Sequence, residues 1–433
     1  MGTGVLSVPV PRFEAFVRDD GVLRVEGVSL AAIAHAVGTP CYVYSAGTIR
    51  ARYAQLEQAF ADVPHHIHFA MKANSNLSVL RLLQELGAGV DIVSGGELFR
   101  AREAGFGGSD VVFSGVGKTV REIEQALDDR VLLINIESEA ELYAIEAVAA
   151  RREVIASVAI RVNPEVTVET PHAYIRTGEK GQKFGIPRDD VERIASLVLE
   201  LPHVRLKGLG MHLGSQISNA DPMREALPRL LGVIAAVRAQ GHQLEYMDVG
   251  GGLAVPYAPG DAEADLHDYA RLVCAAVRET ELQLMLEPGR FIVADAGVLL
   301  TEVLYRKHAA GKDFVVIDAG MSDLIRPALY QAFHTIEPVN ATGGTLVADV
   351  VGPICESGDF FAKDRALPAV QAGELLVVRT AGAYGYTMAS NYNSRPRPAE
   401  VLVDGDRFAV ITERERYEDL VRLERAHLQW RSA

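Results

Sequence analysis

At 433 residues, 48% apolar and 7% aromatic, the chain is long enough for two domains or for one large barrel with an appendage. A formal net charge of −14 excludes polyanionic partners, because nucleic acid and an anionic membrane surface would both be repelled, and leaves a small molecule as the expected substrate. Three cysteines, Cys41, Cys274 and Cys355, give neither a disulfide framework nor a paired metal-ligand spacing, and the opening `MGTGVLSVPVPRFEAF` lacks a basic segment followed by an apolar core; a cytoplasmic protein with no metal, export signal or membrane anchor is expected.

Residues 1–42, with `FVRDDGVLRVEGVSLAAIA`, precede any regular repeat and are expected to pack with a β-rich domain at the other end of the chain. From residue 43 to residue 290 one unit recurs, a short β-branched apolar run followed by a turn and an amphipathic helical stretch. The runs are `HIHFAM`, `GVDIVS`, `DVVFSG`, `VLLINI`, `SVAIRVN`, `LKGLGMH`, `LEYMDVG` and `LQLMLEP`. Two of the helices open on capping boxes, Thr119 with Glu122 and Ser138 with Glu141. Eight such units predict a (β/α)8 barrel of the TIM type. A doubly wound open sheet is the competing α/β architecture, but the chain has no dinucleotide fingerprint. Residues 291–433 change to strand-like runs, `FVVIDAG`, `TLVADVVGP`, `ELLVVRTAGAY` and `AEVLVDGDRFAVI`, which predict a β-rich domain of sandwich or barrel-like form. The stretches `GEKGQ` and `YAPGDAEAD` read as loosely constrained loops.

The active site of such a barrel forms at the C-terminal ends of its strands, and `KAN`, `SGGE`, `SGVGK`, `RVNP`, `HLGSQ`, `DVGGG` and `EPGR` all fall there. Taken alone, Lys72 at the end of the first run is a solvated cation. Beside a glycine-rich anion site it becomes an amine able to form a Schiff base with an aldehyde. Gly250, Gly251 and Gly252 follow the seventh run and Gly289 the eighth, the place where a phosphate site recurs in this fold. Lysine and phosphate together point to pyridoxal 5′-phosphate. Glu287 is then a partner for the ring nitrogen, with a salt bridge to a nearby arginine as the rival role. His212 can stack on the ring and Ser215 can donate to the phosphate, although a strand-end histidine serves as readily as a structural hydrogen-bonding group.

In this order along nearly the whole chain, `FAMKANSN`, `HLGSQ`, `DVGGG`, `EPGR`, `MSDLIRPALY`, `GPICESGD` and `GAYGYTMASNYNSRPRP` resemble the diaminopimelate decarboxylases, in the alanine-racemase-like fold group of pyridoxal-phosphate enzymes. Ornithine and arginine decarboxylases share the barrel motifs, so the substrate rests on the C-terminal ones. The resemblance implies decarboxylation of meso-2,6-diaminopimelate to L-lysine, the last step of lysine biosynthesis. It makes Lys72 the Schiff-base lysine, and Gly250 to Gly252, Ser215 and the backbone at Gly289 and Arg290 the phosphate site. Glu287 would meet the ring nitrogen and His212 the ring face.

By the same resemblance Arg290 and Arg326, with Tyr330 a helical turn beyond Arg326, contact the substrate. Glu356 meets its distal ammonium, and Tyr384 reaches cofactor or substrate. Cys355 would be the proton donor, supplied across a homodimer interface to the partner's barrel. Two forked guanidiniums suit a distal carboxylate, which ornithine lacks. The alternatives are a decarboxylase of another basic amino acid or of a carboxylated polyamine, a racemase, and a non-catalytic cofactor binder. The last would be expected to lose Lys72 or Cys355, and both are present.

Overall fold

All eight apolar runs form strands, and each pairs in parallel with the next until the eighth returns to the first, so the sheet closes. The strands are His65–Ala70, Gly89–Ile92, Val111–Phe113, Leu133–Ile136, Ala156–Asn163, Val204–Gly210, Tyr246–Asp248 and Gln283–Leu286. The computed structural model describes residues 14–168, 178–424, 427–428 and 430–431, so the part of the N-terminal reading that falls on residues 1–13 lies outside the described residues. By contacts the chain divides into two units, residues 46–296 around this barrel and residues 15–45 with 297–433. A two-residue strand not read in the sequence, Ile186–Pro187, pairs in parallel beside Ala156–Asn163.

Side chains alternate across a strand, so residues two apart share a face. Val112, Leu133, Ala159 and Met285 form a small apolar layer inside the barrel, with Tyr246 packed on it. Two positions further along each strand path stand Ser114, Asn135, Arg161, Glu287 and Asp248, and Asp91 stands two beyond Gly89. The barrel is thus apolar at one level and polar at the next, towards the C-terminal ends of its strands. Glycines make the room: a Cβ at Gly89 would run into the His68 ring, and one at Gly210 would sit 2.8 Å from Asp248 Cβ.

The outer helices follow their caps. Val120–Asp128 opens on a reciprocal box between Thr119 and Glu122. Glu139–Arg152 is capped by Ser138, which accepts from the Glu141 N–H, but the Glu141 carboxylate accepts from the Glu137 N–H at 2.7 Å and from Lys118 Nζ at 2.8 Å. The second expected box is therefore half formed. The side chain of Lys118 is fully enclosed, and a buried ammonium must be paired, which outweighs a capping bond.

The second unit holds a three-stranded sheet, Phe16–Asp19, Val22–Val25 and Val28–Ser29, and a larger one. In the larger sheet Cys41–Ser45 lies between Gly297–Ala309, antiparallel to it, and Ala399–Asp404, parallel to it. Arg407–Thr412 returns along Ala399–Asp404 through a two-residue turn in which Gly405 adopts φ +67°. Beyond Gly297–Ala309 follow Lys312–Ile317, Thr345–Val351 and Phe360–Pro368. Leu23, Ile33, Val43, Val298, Val377 and Val401 belong to one core packed between these strands and the helix Leu30–Val37.

Candidate active site

The first barrel strand ends in a single 3-10 turn, Met71–Ala73, whose two outer residues are buried. Lys72 between them turns its amine to the neighbouring strand, where Asp91 Oδ2 lies 3.0 Å from Nζ. Strand register brings the two close, since Ala70, two residues before Lys72, pairs with Asp91. Below them His68 is buried opposite Gly89, and burial pushes its imidazole down to about 4, so it is neutral at physiological pH.

Gly250, Gly251 and Gly252 are required by close approach as well as by turn geometry. Gly250 and Gly252 have φ +68° and +99°. A Cβ at Gly251 would collide with the carbonyl oxygen of Glu287, one at Gly252 with that of Gly214, and one at Gly250 would lie 2.6 Å from His212 Nδ1. The Gly250 N–H donates to Asp248 Oδ1 at 2.7 Å and the Gly251 N–H to His212 Nδ1 at 3.2 Å. Two of the three amides therefore tie the loop to its neighbours. With Nδ1 accepting, neutral His212 carries its proton on Nε2; burial, then Arg161 and Lys72, hold it well below the usual imidazole range.

The loop after the eighth strand rests against the lysine turn. Ala70 N–H donates to the Pro288 carbonyl at 3.0 Å, and a Cβ at Gly289 would lie 2.9 Å from Ala73 Cβ. Arg290 is buried and donates through Nε and Nη2 to Ser215 Oγ, at 3.2 and 3.0 Å, and through Nη1 to the Tyr257 hydroxyl at 2.7 Å. Ser215, Tyr257 and Arg290 make a compact donor cluster suited to an anion. Tyr257 was not singled out in the sequence because `YAPGDAEAD` read as loose. Its place is fixed by Asp261, whose carboxylate accepts from the Tyr257 and Ala258 N–H groups at 3.0 and 2.8 Å.

Glu287 follows the eighth strand and is buried. Its neighbours are Ser114, whose Oγ lies 3.4 Å from Oε1, and Asp248, hydrogen-bonded side chain to side chain. Arg290 turns instead to Ser215 and Tyr257, and Arg161 lies 3.2 Å from Glu137. Burial, then the charges of Asp248 and Asp91, raise Glu287 well above the usual carboxylate range, and burial pushes Asp248 up to about 6.

The other expected residues lie in the second unit. Arg326 opens the helix Arg326–Tyr330, is buried, and donates through Nη1 to His334 Nε2 at 2.9 Å. His334 Nδ1 donates to the Arg379 carbonyl at 2.8 Å, which leaves Nε2 as the acceptor. Residues 352–359 wind around Asp359, whose carboxylate accepts from the Ile354 and Met321 N–H groups, both at 2.6 Å. On that loop Cys355 is exposed, its N–H donating to Asn393 Oδ1 at 2.9 Å, and Glu356 Oε2 accepts from the Tyr392 hydroxyl at 3.4 Å. Tyr384 adopts φ +55°, a left-handed conformation rare for a bulky residue and of the kind retained at functional positions.

Residues 46–294 match a family model described as a pyridoxal-dependent decarboxylase, pyridoxal binding domain. The chain is 48% identical over 409 residues to a diaminopimelate decarboxylase of Pseudomonas aeruginosa, covering 94% of this chain and 98% of that one. With the enzyme of that name from Aquifex aeolicus it shares 43% over 403 residues, covering 93% and 95%. Among solved structures, diaminopimelate decarboxylase from Helicobacter pylori complexed with L-lysine superposes with TM-score 0.88 at 40% identity, covering 91% of this chain and 98% of that one. Both the barrel and the β-rich unit fall within these overlaps.

Proposed function

The chain belongs to the diaminopimelate decarboxylase family of pyridoxal-dependent enzymes, and we propose how its own residues divide the work of that reaction. It is a carboxy-lyase that takes pyridoxal 5′-phosphate as cofactor and releases carbon dioxide from meso-2,6-diaminopimelate, leaving L-lysine. The cofactor, when bound, supplies an electron sink for the pair left on carbon as carbon dioxide departs. The residues present fit it. Lys72 would hold its aldehyde carbon and Ser215 and Arg290, with the backbone at Gly252 and Gly289, its phosphate. Glu287 would meet its ring nitrogen, and the neutral His212 ring would cover one face.

The observation that carries the reading is the pairing of Lys72 with buried Asp91 in the electrostatic field of buried Glu287. A carboxylate on a barrel strand orients the amine it pairs with, and orientation of this kind supplies much of the rate of such reactions. Neutral His212, tethered by Gly251, is an uncharged surface that does not compete with Glu287 for the ring's charge.

Specificity is proposed to rest on Arg326, whose fork suits the distal carboxylate, with Tyr330 beside it and Glu356 meeting the distal ammonium. Tyr384 is proposed to contact cofactor or substrate, and Arg290 to reach the substrate as well. The proton that replaces the lost carboxylate is proposed to come from Cys355 of a second copy or from Lys72. The active species is then a homodimer, and inactive K72A and C355A chains should restore part of the activity when their subunits exchange. No helix among the described residues is long and apolar enough to cross a membrane, and a cytoplasmic enzyme is proposed. The test is carbon dioxide release from meso-diaminopimelate, L-ornithine, L-arginine and L-lysine side by side. Release from diaminopimelate alone is expected, and release only from a basic amino acid would overturn the role given to Arg326.

A further inference from the structure

Asp248 stands in contact with Glu287, a buried carboxylate of the same polar level of the barrel. It ends the seventh strand, Glu287 follows the eighth, and these strands are adjacent, Asp248 pairing with Met285. The two backbones are tied at the same level, Val249 N–H donating to the Met285 carbonyl at 3.2 Å and Glu287 N–H to the Gly250 carbonyl at 2.8 Å. Both side chains are buried, and they meet oxygen to oxygen. Each has a further anchor on the outside. Asp248 Oδ1 accepts from the Gly250 N–H, and Glu287 Oε1 from Ser114 Oγ, which is itself held by Asn135 Nδ2 at 3.0 Å. Facing the pair are Asp91, Lys72 and Arg161; the acid adds to the negative field, while Lys72 and Arg161 moderate it.

Two carboxyl oxygens in hydrogen-bonding contact away from water need a proton between them, since like charges at that distance cannot both be ionised at modest cost. We propose that Asp248 and Glu287 hold a single proton in common, and that Asp248 is a positioning residue whose carboxylate delivers that proton, through Glu287, to the ring nitrogen of bound pyridoxal phosphate. The step balances: the Glu287 O–H bond breaks, the nitrogen lone pair takes the proton, and both carboxylates are left as anions beside a cationic ring. The upward shift of both acids agrees with this arrangement. The inference rests on the reading of Glu287 as the ring-nitrogen partner and adds where that nitrogen's proton comes from.

The test is infrared spectroscopy of the full chain near neutral pH, read as wild type minus variant so that other carboxyl groups cancel. The cofactor-free wild type should show a protonated-carboxyl absorption that moves in heavy water, and both D248N and E287Q should lose it, because the new amide donates to the remaining carboxylate. Survival of the band in either variant would assign the proton to one residue alone and overturn the shared pair. A second measurement needs no variant. Pyridoxal 5′-phosphate should abolish the wild-type band, whereas its 1-deaza analogue, which has no ring nitrogen, should bind and leave the band intact. Equal effects of the two would overturn the proposal. Failure of the wild type to bind pyridoxal phosphate at all would instead overturn the function proposed above, and its absorbance change reports binding separately.

Discussion

Asp91 Oδ2 lies 3.0 Å from Lys72 Nζ, and the two side chains differ in exposure, 38% for the lysine and none for the acid. The buried acid belongs to the barrel strand Gly89–Ile92 and holds the accessible amine beside that strand. Removing it by D91A should lower kcat about 10²-fold, the scale of an ångström misplacement of a reacting group. The cofactor absorbance should persist and the Michaelis constant for diaminopimelate should hardly change. A kcat within a factor of two of wild type would show that Asp91 does not position Lys72.

Arg326 gives the prediction on specificity. Two charge-assisted hydrogen bonds to a distal carboxylate are together worth about 3 kcal/mol or more, so R326A should raise the Michaelis constant for diaminopimelate on the order of 10²-fold. Circular dichroism is recorded alongside, because the truncation also removes the Nη1 hydrogen bond to buried His334 Nε2. An unchanged Michaelis constant would remove the clamp from the account.

The acid pair makes the cofactor-free fold respond to pH with a definite sign. Asp248 rises from its ordinary 3.8 to about 6, so the native state binds its proton more tightly than the unfolded chain does. Its stabilising contribution is present below pH 4 and is lost as pH rises through about 6. D248N lacks this loss. The melting temperature of the variant relative to wild type should therefore climb between pH 4 and pH 7, as measured by thermal denaturation without cofactor. A difference that is flat with pH would contradict the raised Asp248.

Much of this was legible in the sequence. Eight short β-branched runs specified eight strands, and the clustering of glycine and polar residues after them marked the rim on which Lys72, His212, Ser215 and Glu287 stand. The polar layer was harder to see. `GVDI`, `VVFS` and `YMDV` read as apolar strands, and only closure of the barrel shows that their single polar residues share one interior level with Glu287. Strand alternation carried that signal, two residues beyond each inward apolar position. Tyr257 was missed for another reason. Its stretch has the composition of a loose loop, while one carboxylate, Asp261, pins it. Gly297–Ala309 was missed as a strand because its first half is buried apart from Glu302 and its second half largely exposed, so no single period runs along it.

The role of Lys72 is tested by finding where the cofactor attaches. The full chain is loaded with pyridoxal 5′-phosphate and reduced with borohydride, which fixes the cofactor to its lysine, and the digested peptides are weighed by mass spectrometry. A single pyridoxyl group is expected, on the peptide containing Lys72 and absent from K72A. Label on another lysine, or label that survives in K72A, would contradict it.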